Sequence, residues 1–326
     1  MKMTVMNVRR RLISTAALTG VTALTLTATS ACSSETAAGA KGGSGTLDVV
    51  ASFYPMAFLA EQIGGKHVHV TSLTRPGQEP HDLEISGQQI VQLEKSDAVL
   101  YLKDLQPSVD KAVEQSGVKT KIDAASLTTL EEHGNEVGGH AAAHDTHQGE
   151  EEGGKDPHIW LDPVKYAEVA KGVGTAFEKA DPDHADTYRK NTDALVKKLD
   201  DLNVQYTEGL KNTKDKVFIT THAAFGYLAE RYGLTEEAIS GLDPDSEPSA
   251  ARVKDLEKMA EADGVSTVFY ETLVSDKTAK TIAKDAGLKT DVLDPIEGIV
   301  KESRGQDYFQ VMESNLKALQ TALGAK

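Results

Sequence analysis

Three of the ten histidines stand where α/β proteins commonly place functional groups. His81 lies in a Gly-Gln-Glu-Pro-His-Asp turn between a predicted strand and a predicted helix, and His158 begins a His-Ile-Trp-Leu-Asp-Pro segment. His222 ends a predicted strand in the second half of the chain. Taken singly, each could be a capping or hydrogen-bonded histidine. Together they predict a divalent-metal site, because three imidazoles with a carboxylate or a water form a tetrahedral Zn²⁺ set.

A second group of histidines falls within residues 131–155, a segment of Gly, Ala, Glu and His with almost no large apolar side chain: His133, His140, His144 and His147. Such a composition cannot bury a core, so it predicts a mobile loop. Imidazoles among carboxylates predict auxiliary, weak capture of Zn²⁺ there. The principal site is expected elsewhere, because mobile ligands must be ordered on binding.

The remaining histidines are interpreted as surface groups. His67 and His69 alternate along a predicted strand, so they should share one exposed polar face. His184 falls in the first turn of a predicted long helix and is expected to be solvated.

The elements that must position these histidines alternate between strand and helix, which predicts an α/β fold with mostly parallel sheets. The same order of elements recurs in the second half, so we expect two similar lobes, residues 46–180 and 214–326. Asp181-Pro182 is a typical helix start, and apolar residues at helical spacing follow it. Residues 181–213 are therefore predicted to form a long spine helix joining the lobes. A ligand should bind in the cleft between them, at the carboxyl ends of the strands.

The N-terminus has the pattern of an export signal. Arg9–Arg11 precede an uncharged stretch, and small residues lead into Cys32, the only cysteine. Residues 1–31 are predicted to be a signal peptide and 32–45 a flexible Gly- and Ser-rich tether. The Thr-Ser-Ala-Cys run resembles a bacterial lipobox, which implies lipidation of Cys32 and an extracytoplasmic, membrane-anchored protein.

The charge balance argues against nucleic-acid partners. The chain has 35 basic and 50 acidic residues, for a formal net charge of −15. Such a surface repels polyanions and attracts cations.

Several motifs together resemble the zinc- and manganese-specific solute-binding lipoproteins of ATP-binding-cassette importers. They are Tyr54-Pro55, Gly-x-Glu-Pro-His-Asp around His81, His-Ile-Trp-Leu-Asp-Pro from His158, Thr-His-Ala-Ala-Phe-Gly-Tyr-Leu around His222, and Leu-Asp-Pro around Asp294. The resemblance covers the chain from Leu47 to its end. It implies His81, His158 and His222 as metal ligands, with Asp294, Glu297 or water as the fourth.

The same resemblance implies the ion and the partners. Manganese-type members tend to carry Glu at the position of His222, and zinc-type members carry a His-rich insertion, so Zn²⁺ is the expected ion. The expected function is delivery of Zn²⁺ to a cognate permease and its ATPase by a monomeric protein. A manganese-binding homologue and a zinc-buffering surface adhesin are the alternatives. A zinc hydrolase is a weaker one, because the sequence has no His-Glu-x-x-His helix and no Gly-x-Ser-x-Gly elbow.

Overall fold

A computed structural model describes residues 45–133 and 155–325. The predicted signal peptide, Cys32 and the tether up to Ser44 lie outside the described residues, as do His140, His144 and His147. Within the described part, no helix combines the length and the apolar character needed to cross a membrane.

The first lobe is built on a four-stranded parallel sheet with the order β2-β1-β3-β4. Its strands are β1 (Leu47–Ala51), β2 (Val68–Ser72), β3 (Ala98–Tyr101) and β4 (Thr120–Asp123). The helices of this half are α1 (Tyr54–Gly64), α2 (Gly87–Lys95), α3 (Pro107–Gln115) and α4 (Pro163–Ala180). The central strands β1 and β3 carry mostly buried apolar side chains, as expected for a parallel sheet covered by helices.

The second lobe repeats this arrangement. Its four parallel strands, β5 (Val217–Thr220), β6 (Thr235–Ala238), β7 (Thr267–Tyr270) and β8 (Lys289–Val292), have the order β6-β5-β7-β8. The helices of this half are α6 (Gly226–Tyr232), α7 (Ala250–Ala262), α8 (Lys277–Asp285) and α9 (Tyr308–Ala322). The two sheets share one strand order, so the expectation of two similar parallel-sheet lobes is confirmed.

Between the sheets, α5 (Ala185–Leu210) runs for 26 residues and buries one stripe of apolar and aromatic side chains. It begins later than the Asp181-Pro182 signal predicts, because Pro182–His184 form a separate 3₁₀ turn. Asp181 Oδ2 lies 2.7 Å from His184 Nδ1 and accepts a hydrogen bond from the Tyr188 hydroxyl at 2.6 Å. These bonds hold the turn apart from the helix.

Two expectations about surface histidines are wrong, and each concerns a residue in a 3₁₀ turn. His67 lies in a 3₁₀ turn before β2, so it does not share a strand face with His69. Its ring stacks on that of His184, with centroids 3.9 Å apart. His184 is therefore partly buried rather than solvated.

The two lobes also contact each other directly. One core cluster draws side chains from both, among them Trp160 and Leu293. Trp160 Nε1 donates to the Pro295 carbonyl at 2.6 Å, and the Tyr308 hydroxyl donates to the Trp160 carbonyl at 2.6 Å. These bonds tie the segment after His158 to the second lobe.

Candidate metal centre

Four side chains meet between the lobes, each from the loop region that follows a strand or precedes a helix. His81 lies in the loop between β2 and α2, and His158 directly precedes a 3₁₀ turn that leads into α4. His222 follows β5, and Glu297 follows β8. His222 and Glu297 thus come from the carboxyl-terminal edge of one parallel sheet, where α/β folds bind ligands.

Glu297 lies at the centre of the group. Its Oε1 is 3.3 Å from Nε2 of His81 and 3.5 Å from Nε2 of both His158 and His222. One potential ligand atom from each of the four residues lies within 4.8 Å of all the others. Three imidazole nitrogens and one carboxylate oxygen are a typical tetrahedral donor set for Zn²⁺.

The group is almost sealed from solvent. The side chains of His158 and Glu297 are fully buried and that of His222 is 1% exposed, whereas that of His81 is 11% exposed. His81 is therefore the member of the group nearest to solvent.

Two of the imidazoles are oriented by buried carboxylates. His158 Nδ1 lies 2.7 Å from Asp156 Oδ1, and His222 Nδ1 lies 2.8 Å from Glu271 Oε1. A carboxylate only accepts hydrogen bonds, so both Nδ1 atoms carry a proton. The buried Nε2 atoms of both rings have no hydrogen-bond partner and face the centre of the group. This tautomer is the one that a metal ligand requires.

The same contacts shift the pKa values of these groups. Burial lowers the pKa of His158 and His222, but the charges of Asp156 and Glu271 outweigh burial, so both pKa values are raised. Burial raises the pKa of Glu297, yet the close approach of the three imidazoles holds that pKa well below its usual value. Because the raised pKa values of the imidazoles favour their protonated forms, a metal ion must compete with protons for these nitrogens.

Comparison with known proteins identifies the family. The family described as zinc-uptake complex component A, periplasmic (ZnuA), matches residues 49–322. The chain belongs to this family. The resemblance inferred from the motifs is thereby confirmed. Members of this family are components of a transport complex.

Two curated relatives show the extent of the match. The chain is 36% identical over 295 residues to the zinc-binding lipoprotein AdcA of Streptococcus pneumoniae (strain R6), covering 89% of this chain and 57% of AdcA. It is 35% identical over 305 residues to the high-affinity zinc uptake system protein ZnuA of Bacillus subtilis, covering 91% and 94%. The chain therefore spans little more than half of AdcA but nearly all of the Bacillus protein.

Two solved structures share the fold. The Zn(II)-bound ZnuA-like domain of pneumococcal AdcA superimposes with a TM-score of 0.70 at 34% identity, covering 86% of this chain and 99% of that one. The laminin-binding protein Lmb of Streptococcus agalactiae, described as bifunctional with adhesin and metal transporting activity, gives 0.74 at 30% identity, covering 85% and 99%.

In this ZnuA-family chain, Asp294 lies outside the group of four potential ligands. Its Oδ1 accepts the backbone N–H of Ile296 at 2.8 Å, and its Oδ2 accepts the Thr272 hydroxyl at 3.0 Å. Its own backbone N–H donates to Asn315 Oδ1 at 3.0 Å. Both carboxylate oxygens of Asp294 are thus used to hold the loop that leads to Glu297.

That loop is strained at one residue. Ile296 has a φ of 61°, in the left-handed region that a β-branched side chain rarely adopts. Such a conformation costs about 1–3 kcal/mol and persists only where the surroundings enforce it. Here the bond from its N–H to Asp294 stabilises the turn just before Glu297.

Of the histidines in the predicted auxiliary segment, the structure describes only His133. Its Nδ1 lies 2.9 Å from Asp156 Oδ2, and its Nε2 lies 3.0 Å from Glu230 Oε2. It is buried at the base of the segment and does not join the group around Glu297.

Sequence reasoning missed the orienting carboxylates. Asp156 stands two residues before His158, a spacing that could have identified it. Glu271 is 49 residues from His222, at the end of the neighbouring strand β7, and no local pattern marks it.

Proposed function

We propose that this protein is an extracytoplasmic, high-affinity zinc-binding protein that delivers Zn²⁺ to an ATP-binding-cassette permease for uptake. The observation that carries the proposal is the convergence of three imidazole nitrogens on Glu297, with two of the rings held in the metal-binding tautomer. The ligands come from both lobes, so a bound ion would bridge them.

Glu297 is proposed as the fourth ligand in preference to Asp294 or water. Its Oε1 already lies within 3.5 Å of all three Nε2 atoms. Asp294 has both oxygens engaged in other hydrogen bonds. Water is disfavoured, because the carboxylate occupies the position it would need.

Zinc is favoured over manganese by the chemistry of the donors. Three imidazoles and a single carboxylate suit Zn²⁺, whereas Mn²⁺ prefers sites richer in oxygen. The relatives AdcA and ZnuA are both named as zinc proteins.

We further propose that the protein binds and releases its ion without catalysing a reaction. In a catalytic zinc site three protein ligands leave a position open for an activated water. Here a fourth protein ligand fills that position, and the donor set is closed.

The anchor and the partners are proposed from the sequence together with the family. Cleavage before Cys32 and its lipidation would leave residues 32–45 as a tether for lobes at 46–180 and 214–326, joined by the helix at 181–213. AdcA is named as a lipoprotein, which supports the anchor. The partners would be a permease and its ATPase, and the binding protein would act as a monomer.

The experiment is a chelator-competition titration of the mature chain with Zn²⁺, repeated in excess Mn²⁺ and on His222→Ala. One tight zinc site that survives manganese and weakens sharply in the variant is expected. The matched control is His69→Ala, because that imidazole is exposed and belongs to neither group of potential ligands. Equal affinity for both ions would favour the manganese alternative, and no change in His222→Ala would refute the ligand assignment.

A variant that lacks residues 134–154 distinguishes a zinc-delivery protein from a zinc buffer. A zinc-delivery protein keeps its tight site without this segment. A zinc buffer loses most of its capacity.

A further inference from the structure

A second group of potential metal ligands lies at the base of the predicted His-rich segment. Within residues 45–133 and 155–325, Glu131, His133 and Glu230 form the one group besides that around Glu297 whose ligand atoms all lie within 4.8 Å. Glu131 and His133 belong to the first lobe, and Glu230 lies on α6 of the second. Like the first group, this one therefore spans both lobes.

The two groups share one buried carboxylate. Asp156 Oδ1 lies 2.7 Å from His158 Nδ1, and its Oδ2 lies 2.9 Å from His133 Nδ1. The other nitrogen of each ring faces a glutamate: His158 Nε2 is 3.5 Å from Glu297, and His133 Nε2 is 3.0 Å from Glu230. A carboxylate that accepts from one ring nitrogen and leaves the other for a metal is the usual support of a metal-binding histidine. Asp156 therefore orients one histidine of each group, His158 through Oδ1 and His133 through Oδ2.

Packing holds His133 in place. Its ring meets the edge of Tyr227, with centroids 4.4 Å apart, and its Cβ would lie 2.5 Å from a Cβ added at Gly226. The Tyr227 hydroxyl donates to the Asp156 carbonyl at 2.8 Å and accepts the backbone N–H of Glu131 at 2.8 Å. A side chain fixed in this way loses little freedom when it binds an ion.

The charges around the group suit a divalent cation. Three carboxylates, Glu131, Glu230 and Asp156, face a single ammonium, that of Lys165, which contacts Glu131. The nearby Arg231 is paired with Asp162 and adds no net charge. The carboxylates around the group therefore outnumber its ammonium and guanidinium groups. The Glu230 side chain is 62% exposed and lines a cavity of about 280 Å³ that an ion from solvent can reach.

We propose that His133, Glu230 and Glu131 form a second, outer Zn²⁺ site, which shares Asp156 with the inner site. Its ligands are His133 Nε2 and carboxylate oxygens of Glu230 and Glu131, with water completing the coordination. It binds more weakly than the inner site, because it is partly exposed, has one imidazole and lies beside Lys165. The inference relies on the proposed function only for the choice of Zn²⁺ as the ion.

The test counts zinc equivalents in a background from which the other histidines of the segment are removed. Full-length mature protein carrying His140→Ala, His144→Ala and His147→Ala is titrated with Zn²⁺ by calorimetry and by equilibrium dialysis with metal analysis. Glu230→Gln is then added, because this residue is exposed, lies outside the segment and does not contact Asp156. Glu313→Gln, at an exposed position on α9, is the matched control.

The background protein should bind two equivalents, one tight and one weaker. Glu230→Gln should weaken the second more than about tenfold and leave the first unchanged, whereas Glu313→Gln should change neither. His222→Ala should remove the tight equivalent and keep the weaker one. A single equivalent in the background protein, or an unchanged second one in Glu230→Gln, would overturn the outer site while leaving the proposed function intact. Loss of the tight equivalent from the background protein itself would instead count against the proposed function.

Discussion

Replacing Glu297 with Gln should separate the two candidates for the fourth ligand. The substitution keeps the size of the side chain but removes a charge that lies within 3.5 Å of three imidazole nitrogens. A neutral amide oxygen is a poorer donor to Zn²⁺ than a carboxylate. Asp294→Asn is the matched comparison, because it removes an equally buried charge three residues away.

The expected loss of zinc affinity in each variant depends on whether its carboxylate lies inside or outside the ligand set. Loss of a partner outside the ligand set typically costs 10–100-fold in metal affinity, so loss of a direct anionic ligand should cost at least about 100-fold, or about 2.7 kcal/mol. Asp294→Asn should cost less than about tenfold, because Asn can still accept the Ile296 N–H and the Thr272 hydroxyl can rotate.

Protonation of His222 changes how much zinc affinity is lost in Glu297→Gln. The Glu297 charge helps to raise the pKa of His222, so Glu297→Gln also lowers that pKa. Zinc then has fewer protons to displace at neutral pH, which offsets part of the lost affinity. The difference between the two proteins should therefore be larger at alkaline pH than at neutral pH.

The assay is competition with a chromophoric chelator at two pH values, with thermal melts to show that each variant is folded. A loss in Asp294→Asn as large as that in Glu297→Gln would refute the assignment. So would a wild-type affinity in Glu297→Gln.

Three further outcomes are expected. Glu271→Gln should weaken zinc binding about 10–100-fold, because the carboxylate that fixes His222 becomes neutral; an unchanged affinity would show that this contact does not orient the ring. Zinc affinity should fall as the pH is lowered, because the raised pKa values of His158 and His222 make protons compete; calorimetry in two buffers should show proton release, and a pH-independent affinity would contradict it. The folding stability of the metal-free protein depends on pH in the opposite direction from the zinc affinity. The stabilisation from these two raised pKa values is present below their unfolded pKa of about 6.5 and is lost as the pH rises through the folded values. Solution scattering profiles of the apo and zinc forms should superimpose, because the lobes share a core cluster and direct hydrogen bonds, and a large closure would contradict this.

Much of the fold could be predicted because hydrophobic patterns are local. The strands β1, β3, β5 and β7 are short runs made mostly of buried residues, so the alternation of strand and helix could be inferred from the sequence. The start of the spine helix could not be predicted, because the bonds from Asp181 to His184 and Tyr188 form only once the turn has folded. His67 was misplaced for a similar reason, since the turn that removes it from β2 begins at Gly65, which has a positive φ of 54°.

That His81, His158 and His222 would lie together could be predicted because each falls at a junction between elements, which is visible in a single stretch of sequence. The choice between Asp294 and Glu297 could not be made in that way. It depends on the left-handed turn at Ile296, which directs the two carboxylates to different partners. The sequence of this turn gives no sign of it, because isoleucine disfavours that conformation.

The distribution of burial indicates where an ion enters and leaves the inner site. Three of the four proposed ligands are fixed by contacts within or between the lobes. Separating the lobes would break the bond from Trp160 to Pro295 and the ion pair of Arg231 with Asp162. His81 differs, because it is the most exposed ligand and no carboxylate binds its Nδ1 within the described residues. The loop that carries His81 is held by individual hydrogen bonds, including the one from Gln106 Nε2 to the Pro80 carbonyl at 3.1 Å. Displacing one imidazole at the surface costs fewer contacts than parting two lobes that share a core. We therefore expect exchange of the ion to begin at His81, with the remaining ligands kept in place by the fold.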